Sequence, residues 1–433
     1  MRLLASRLEE AAQEITRLQG GSVAVGLPIT APAELAHYEP HLRSMVEWCH
    51  ASAAEIRKRA IIAAQADLIG WNPTGDNTAR DTLMTAAAGG FDEELAAFDA
   101  LGDKGDIAAF FAGLTPGQAL AVALARASQV GARAGVPLEL RFTANRHLVR
   151  QAHAEAIRVG DKAAADRYTR LLSPDRQLLL FDPRGPGKIA EVKGDLATAR
   201  SVGIMVPGTG SNLANYEAGS VKDLKAVNEA VGFFSGGESA TIMWIGAELP
   251  PNVAAATLKS YADRGAPELR AFVEGLNLGD DVKTTLIGHS YGSTLTGHAV
   301  RAGLKADNLV AVASPGWGVT WAAELQAPRT RLFAVRHPDD VISMVPPIDD
   351  IAIALGQIPP TTVMGHGSDP VFLAGVTRMS SGTDDQFLPI GVDFDAHSGY
   401  FGSNEAARTA TGNVARVIVG LEPITYDEAR AER

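Results

Sequence analysis

Thr284-Thr285-Leu286-Ile287-Gly288-His289-Ser290-Tyr291-Gly292-Ser293 is the stretch that decides how this chain folds. Apolar and β-branched residues run into Gly-x-Ser-x-Gly, and small, helix-compatible residues follow. That order predicts a buried strand over 283–287, a helix over 291–304 and a sharp turn between them with Ser290 at its tip. Such a turn forces its serine into an unfavourable backbone conformation and points the hydroxyl into open space. Gly288 and Gly292 remove the side chains that would collide where strand and helix meet. The helix then aims its positive end at the serine. A serine placed in this way reads as a nucleophile; the bland alternative is an ordinary strand–turn–helix with a surface serine.

Outward from this turn, strands and helices alternate. Strands are expected over 176–182, 188–192, 202–206, 241–245, 308–313 and 331–335, and helices over 221–234, 258–276 and 404–420. The first two strands flank Pro183-Arg184-Gly185-Pro186-Gly187 and form a hairpin. Gly-Pro-Gly-Lys is no phosphate loop, because its spacing is wrong, no Ser or Thr follows Lys188 and no helix starts there. A hairpin followed by alternating β and α elements predicts an α/β fold with a mostly parallel central sheet covered on both faces.

The first part of the chain reads as helical. Leu4, Leu8, Ala11, Ile15 and Leu18 make one apolar stripe, which Gly20-Gly21 is expected to end. Thr30 before Pro32 signals a new helix start. Leu35, Leu42, Cys49, Ile56 and Ile61 then suggest a long second helix folding back on the first, with a kink at Pro40. Trp71-Asn72-Pro73-Thr74-Gly75 breaks it, and further helices are expected over 80–98, 107–131 and 138–160. The resulting division is a helical N-terminal region over 1–105, a helical segment over 106–175, a catalytic domain over 176–424 and a tail over 425–433.

Serine chemistry needs a base, a group that orients it, and donors for the oxyanion. In this class of fold the chain order is serine, acid, histidine. The acid is sought after strand 331–335, where Asp339-Asp340 stand, and Asp340 is preferred. Only His366 and His397 follow, and His397, in a loop before the last helix, is preferred as the base. One oxyanion donor is the N–H of Tyr291. The other comes from Pro207-Gly208-Thr209-Gly210, with Thr209 and Gly210 both open. His289 and His298 read as packing or hydrogen-bonding groups. The apolar segment 348–362 is equally a pocket wall, a lid or a cover for the sheet. His37 and His41 are four apart, but Pro40 lies between them and no ligand cluster completes a metal site. No Gly-x-Gly-x-x-Gly follows a strand, so no cofactor is expected.

The 433 residues exceed one ordinary core, and 46% hydrophobic with 21% charged residues is a globular composition. A net charge of −11 argues against nucleic acid as a partner. The single Cys49 excludes an internal disulfide. Arg7, Glu9 and Glu10 interrupt the N-terminus, so no signal peptide is expected, and no uncharged run is long enough to span a bilayer. A cytoplasmic location is the default expectation.

Several motifs together resemble a little-characterised α/β-hydrolase family of serine hydrolases. They are Val206-Pro207-Gly208-Thr209-Gly210, Gly288-His289-Ser290-Tyr291-Gly292-Ser293, Ser314-Pro315-Gly316 and His397-Ser398-Gly399-Tyr400-Phe401. Ala144-Asn145-Arg146, Leu179-Leu180-Phe181-Asp182-Pro183 and Met243-Trp244-Ile245-Gly246 extend the likeness, over about residues 106–421. The resemblance implies the α/β-hydrolase fold and a Ser290, Asp340, His397 triad acting on acyl compounds, most simply carboxylic esters. Amidase, peptidase and acyltransferase chemistry use the same parts, and a non-catalytic binding scaffold is the reading from another class. Family members often carry a helical N-terminal region with a Trp-x-Gly turn. Here that turn reads Trp71-Asn72-Pro73, a departure from the pattern. The N-terminal helices are the expected place for a protein partner or self-association.

Overall fold

The computed structural model describes residues 2–24, 39–70, 72–73, 75–102, 105–344, 365–382, 394–401 and 405–431. The Thr30–Pro32 helix start and the 348–362 segment lie outside them. The chain divides into two compact units, Met1–Ala127 and Ser128–Arg433. The expected boundary at 105/106 thus falls inside the first unit.

In the first unit, helices α1 (Arg2–Ala24) and α2 (Glu39–Ile69) pack against one another. Their buried positions are largely small: Ala5 and Ala12 on α1, and Cys49, Ala53, Ala60 and Ala66 on α2. Small side chains let two helix backbones approach closely. Two expectations are corrected here. Helix α1 runs on through Gly20-Gly21 to Ala24: a glycine inside a helix costs about 1 kcal/mol relative to alanine, a penalty that does not by itself end the helix. Pro40 falls in the first turn of α2, where its missing N–H has no partner to lose, so it marks a start and makes no kink.

The helix expected over 80–98 is broken into α3 (Thr78–Ala87) and α4 (Asp92–Ala100) at Gly89, which has φ +95°. The one expected over 107–131 is broken into α5 (Ile107–Ala112), α6 (Pro116–Ala125) and α7 (Ala127–Val130). Thr115 and Gln118 cap α6 reciprocally, with Pro116 at its first position, a start signal inside what looked like one continuous helix.

The second unit opens with α8 (Leu138–Val159) and α9 (Lys162–Leu171). Eight strands follow: β1 (Gln177–Asp182), β2 (Lys188–Lys193), β3 (Ser201–Val206), β4 (Ser239–Ile245), β5 (Lys283–His289), β6 (Asn308–Val312), β7 (Arg331–Val335) and β8 (Val376–Arg378). They form one sheet in the order β1-β2-β4-β3-β5-β6-β7-β8. The β1/β2 and β2/β4 pairs are antiparallel and the others parallel. Every residue of β3, β4 and β6 is buried, as in a sheet covered on both sides.

The helices between strands are α10 (Ser220–Ser235), α11 (Val253–Ala256), α12 (Ser260–Glu274) and α13 (Tyr291–Arg301). The chain ends with α14 (Phe394–Ser398), α15 (Glu405–Val419) and α16 (Tyr426–Ala431). Right-handed crossovers decide the layers. From β3 through α10 the chain moves one way along the sheet, and from β4 through α12 and from β5 through α13 it moves the other way. The two groups therefore cover opposite faces, and α10 packs with α15 while α12 packs with α13. Ser290, following β5, sits at the C-terminal edge of a central strand, flanked by β3 and β6.

A buried ionic cluster fastens the antiparallel end. Arg176 is bidentate to Glu191 at 2.5 and 2.6 Å and also reaches Glu217 at 2.9 Å. The Tyr216 hydroxyl donates to Glu191 at 2.9 Å. Glu191 is fully buried, so removing it strands a guanidinium in the core with one remaining carboxylate. Glu191→Ala is expected to lose about 3–5 kcal/mol in urea denaturation. A loss within about 1 kcal/mol would mean that the cluster contributes little to folding.

Candidate active site

β5 ends at His289 and α13 begins at Tyr291, so Ser290 alone turns the chain. Its backbone stands at φ 52°, ψ −128°, a region that costs a residue with a side chain about 1–3 kcal/mol. Three bonds hold it there. The Ser290 N–H donates to the carbonyl of Val312 at 2.9 Å. Its carbonyl accepts from the N–H of Ser293 at 3.0 Å and from the Ser293 hydroxyl at 2.5 Å.

Ser293 Oγ lies 2.5 Å from Ser314 Oγ, which accepts the Gly316 N–H at 2.9 Å. The Ser-Pro-Gly motif after β6 thus braces the turn. The glycines are required by contact. A Cβ on Gly288 would stand 2.3 Å from Ser293 Cα, and one on Gly292 would stand 2.1 Å from the Val206 carbonyl oxygen. A Cβ on Gly208 would meet that of Ser290 at 2.6 Å.

The structure brings three of the residues sought in the sequence into one line. Ser290 Oγ is 3.0 Å from His397 Nε2, and His397 Nδ1 is 2.7 Å from Asp340 Oδ1. The imidazole comes from α14, and the carboxylate from the segment after β7. Asp340 is fully buried. Burial alone would raise its carboxyl pKa, but the bonds from His397, the Ile342 N–H and the Tyr400 hydroxyl outweigh this and hold it below the usual carboxylate range. Asp339 stands outside this line, and its N–H donates to His337 Nδ1 at 3.2 Å.

His366 is not at the serine. Its Nδ1 is 3.0 Å from Thr294 Oγ1, which donates to the Gly316 carbonyl, so it belongs to the packing behind the turn. His298 pairs with Asp263 on α12 at 3.0 Å. His289 donates from Nε2 to the carbonyl of His397 at 2.9 Å. Burial pushes its pKa down to about 4, which keeps the ring neutral. Among the described residues no group of three or more His, Cys, Asp or Glu is placed to hold a metal ion.

The two upstream oxyanion candidates differ. The Gly210 N–H donates to the Pro250 carbonyl at 2.7 Å and is committed there. Thr209 precedes it in the same turn, next to Gly208, where an added Cβ would stand 3.1 Å from Ser290 Oγ. The Tyr291 N–H heads α13, while its phenol ties that helix sideways, donating to the Leu258 carbonyl at 2.6 Å and accepting the Ala262 N–H at 3.1 Å.

Sequence reasoning passed over Tyr400, Ser293 and Ser314 as contributors. All three stand in the motifs quoted for the resemblance, so a signal was present, but not their roles. Those roles depend on contacts between segments far apart in the chain.

Strand order and the strand-to-helix turn at Ser290 are those of the α/β-hydrolase fold. A family model described as "Alpha/beta hydrolase" matches residues 182–350. Among curated relatives, the uncharacterized protein Rv2079 of Mycobacterium tuberculosis is 30% identical over 214 residues, 45% of this chain and 32% of that protein. The chain therefore spans about a third of that relative's length. The uncharacterized protein Rv0963c of the same organism is 27% identical over 224 residues, 48% of this chain and 84% of that protein.

Among solved structures, XC6422 of Xanthomonas campestris, described as an α/β serine hydrolase without lid, is 18% identical. It covers 45% of this chain and 85% of its own, with a TM-score of 0.27. No helix among the described residues is long and apolar enough to cross a membrane.

Proposed function

We propose that this chain is a serine hydrolase of acyl compounds, with carboxylic esters as the substrate class. The observation that supports it is the unbroken line of Ser290 Oγ, His397 and Asp340 at 3.0 and 2.7 Å, at the tip of a strained strand-to-helix turn. His397 Nε2 takes the serine proton as Oγ attacks the carbonyl, and Asp340 fixes the tautomer with Nδ1–H and steadies the imidazolium. The oxyanion is received by the N–H groups of Tyr291 and Thr209, since the Gly210 N–H is engaged. The imidazolium then protonates the leaving oxygen. Water, activated by the same imidazole, attacks the acyl-enzyme and releases the acid.

A fluorophosphonate probe tests this, because it phosphonylates only an activated serine. The expected result is one adduct, mapped by mass spectrometry to Ser290 and absent from Ser290→Ala. Labelling at another residue, or none on folded protein, overturns the reading. A panel of esters and amides of graded acyl length then separates esterase from amidase chemistry.

A further inference from the structure

The line from Ser290 to Asp340 uses one oxygen of the carboxylate. The other is held by a residue that the reaction as written does not employ. The Tyr400 hydroxyl lies 2.7 Å from Asp340 Oδ2 and accepts the His337 N–H at 2.5 Å. A phenol oxygen has one proton to give. Because the His337 N–H occupies its acceptor side, that proton points to the carboxylate. Tyr400 is buried, and burial next to the Asp340 charge raises its pKa well above the ordinary phenol value, so it stays a donor.

The placement is specific. Tyr400 follows His397 by three residues, in the short turn Gly399–Phe401 that continues α14. The segment that delivers the base therefore also grips the acid. The charged and titratable groups around Tyr400 are Asp340, His337 and Arg336 from the segment after β7, His289 from β5 with its ring 6.2 Å away, and His397. Asp340 is the one that takes its proton. Held at Oδ1 by His397 and the Ile342 N–H and at Oδ2 by Tyr400, the carboxylate cannot rotate without breaking a charge-assisted bond.

We propose that Tyr400 is a positioning residue for the reaction: it locks the rotation of the Asp340 carboxylate, draws part of its charge to Oδ2, and so sets how readily His397 takes the serine proton. This rests on the serine-hydrolase reading. The test uses the full chain. Wild type is labelled with fluorophosphonate and assayed on an ester across pH, beside Tyr400→Phe, which removes one oxygen and keeps the ring.

A hydrogen bond to a buried charge predicts a fall in kcat of about tenfold or more with KM unchanged. It also predicts that the acid limb of the pH profile moves to higher pH, since the full carboxylate charge then faces the imidazole. In an Asp340→Asn background the same change should cost little, because Tyr400 acts through the carboxylate.

A wild-type kcat and profile in folded Tyr400→Phe overturns the inference and leaves the hydrolase reading standing. An equal loss in both backgrounds overturns it too, as an effect of packing. Wild type that takes no label removes the reading, and the inference with it. If Tyr400→Phe does not fold, fluorotyrosine at 400 carries the test. The stronger donor should move the acid limb to lower pH, and an unmoved limb overturns the inference.

Discussion

Asp340→Asn is expected to lower kcat on an ester substrate about ten-thousandfold, whereas Asp339→Asn should stay within about tenfold of wild type. An amide at 340 presents either an oxygen or an N–H₂ to His397. If it presents the N–H₂, the imidazole must accept at Nδ1 and carries its own proton at Nε2, facing Ser290 when it should be taking a proton from it. If it presents the oxygen, the tautomer is kept but the negative charge that steadies the imidazolium is gone. A Tyr400 hydroxyl that keeps donating needs the amide oxygen at the Oδ2 position and so favours the first arrangement, whereas the Ile342 N–H, which donates to the Oδ1 position, favours the second. The neighbouring Asp339 has none of these partners. The check is a pair of kcat measurements on folded variants, and a larger loss at 339 than at 340 would overturn the assignment of the acid.

Gly292→Ala is expected to destabilise the second unit by about 4 kcal/mol or more and to abolish labelling of Ser290. The added methyl would stand 2.1 Å from the Val206 oxygen and 2.6 Å from the Pro207 oxygen. Both obstacles are backbone at the end of a central buried strand, not the tip of a side chain that can swing away. The helix can yield only by pulling α13 off the sheet, which opens the bonds that hold Ser290 in its costly conformation. Overpacking at an adaptable core site costs about 1–3 kcal/mol, and this site has less room to adapt. Urea denaturation and fluorophosphonate labelling read the two effects separately. A variant of wild-type stability that still takes the label would show that α13 can move away at no cost.

The sequence made the second unit readable because its sheet is covered on both faces. Strands such as β3 and β4 become continuous apolar runs between turn signals, and their spacing fixes a parallel architecture. Strand β8 escaped notice because three half-buried residues carry no period. In the first unit the helices were legible but their ends were not. Ala-rich stretches read as continuous through Gly89 and Thr115, where tight turns intervene.

The meeting of Ser290, Asp340 and His397 was legible because chain order and the ends of strands restrict which carboxylate and which imidazole can reach the serine. The choice between Thr209 and Gly210 was not, since it depends on the carbonyl of Pro250, a group with no sequence signature. Tyr400 was visible only as part of a motif, because its role is defined by a carboxylate 60 residues away.

Most of what bends the chain at Ser290 is contiguous with it: β5, α13, β6 and the Ser314–Gly316 turn. The base arrives much later, 107 residues further along. During synthesis, then, the serine can take its final shape while its partner is still inside the ribosome. On the reading proposed here the newborn chain is latent. Over the 107 residues between Ser290 and His397 it carries a shaped but unarmed hydroxyl, and reactivity towards cellular acyl compounds switches on only when the segment bearing His397 docks.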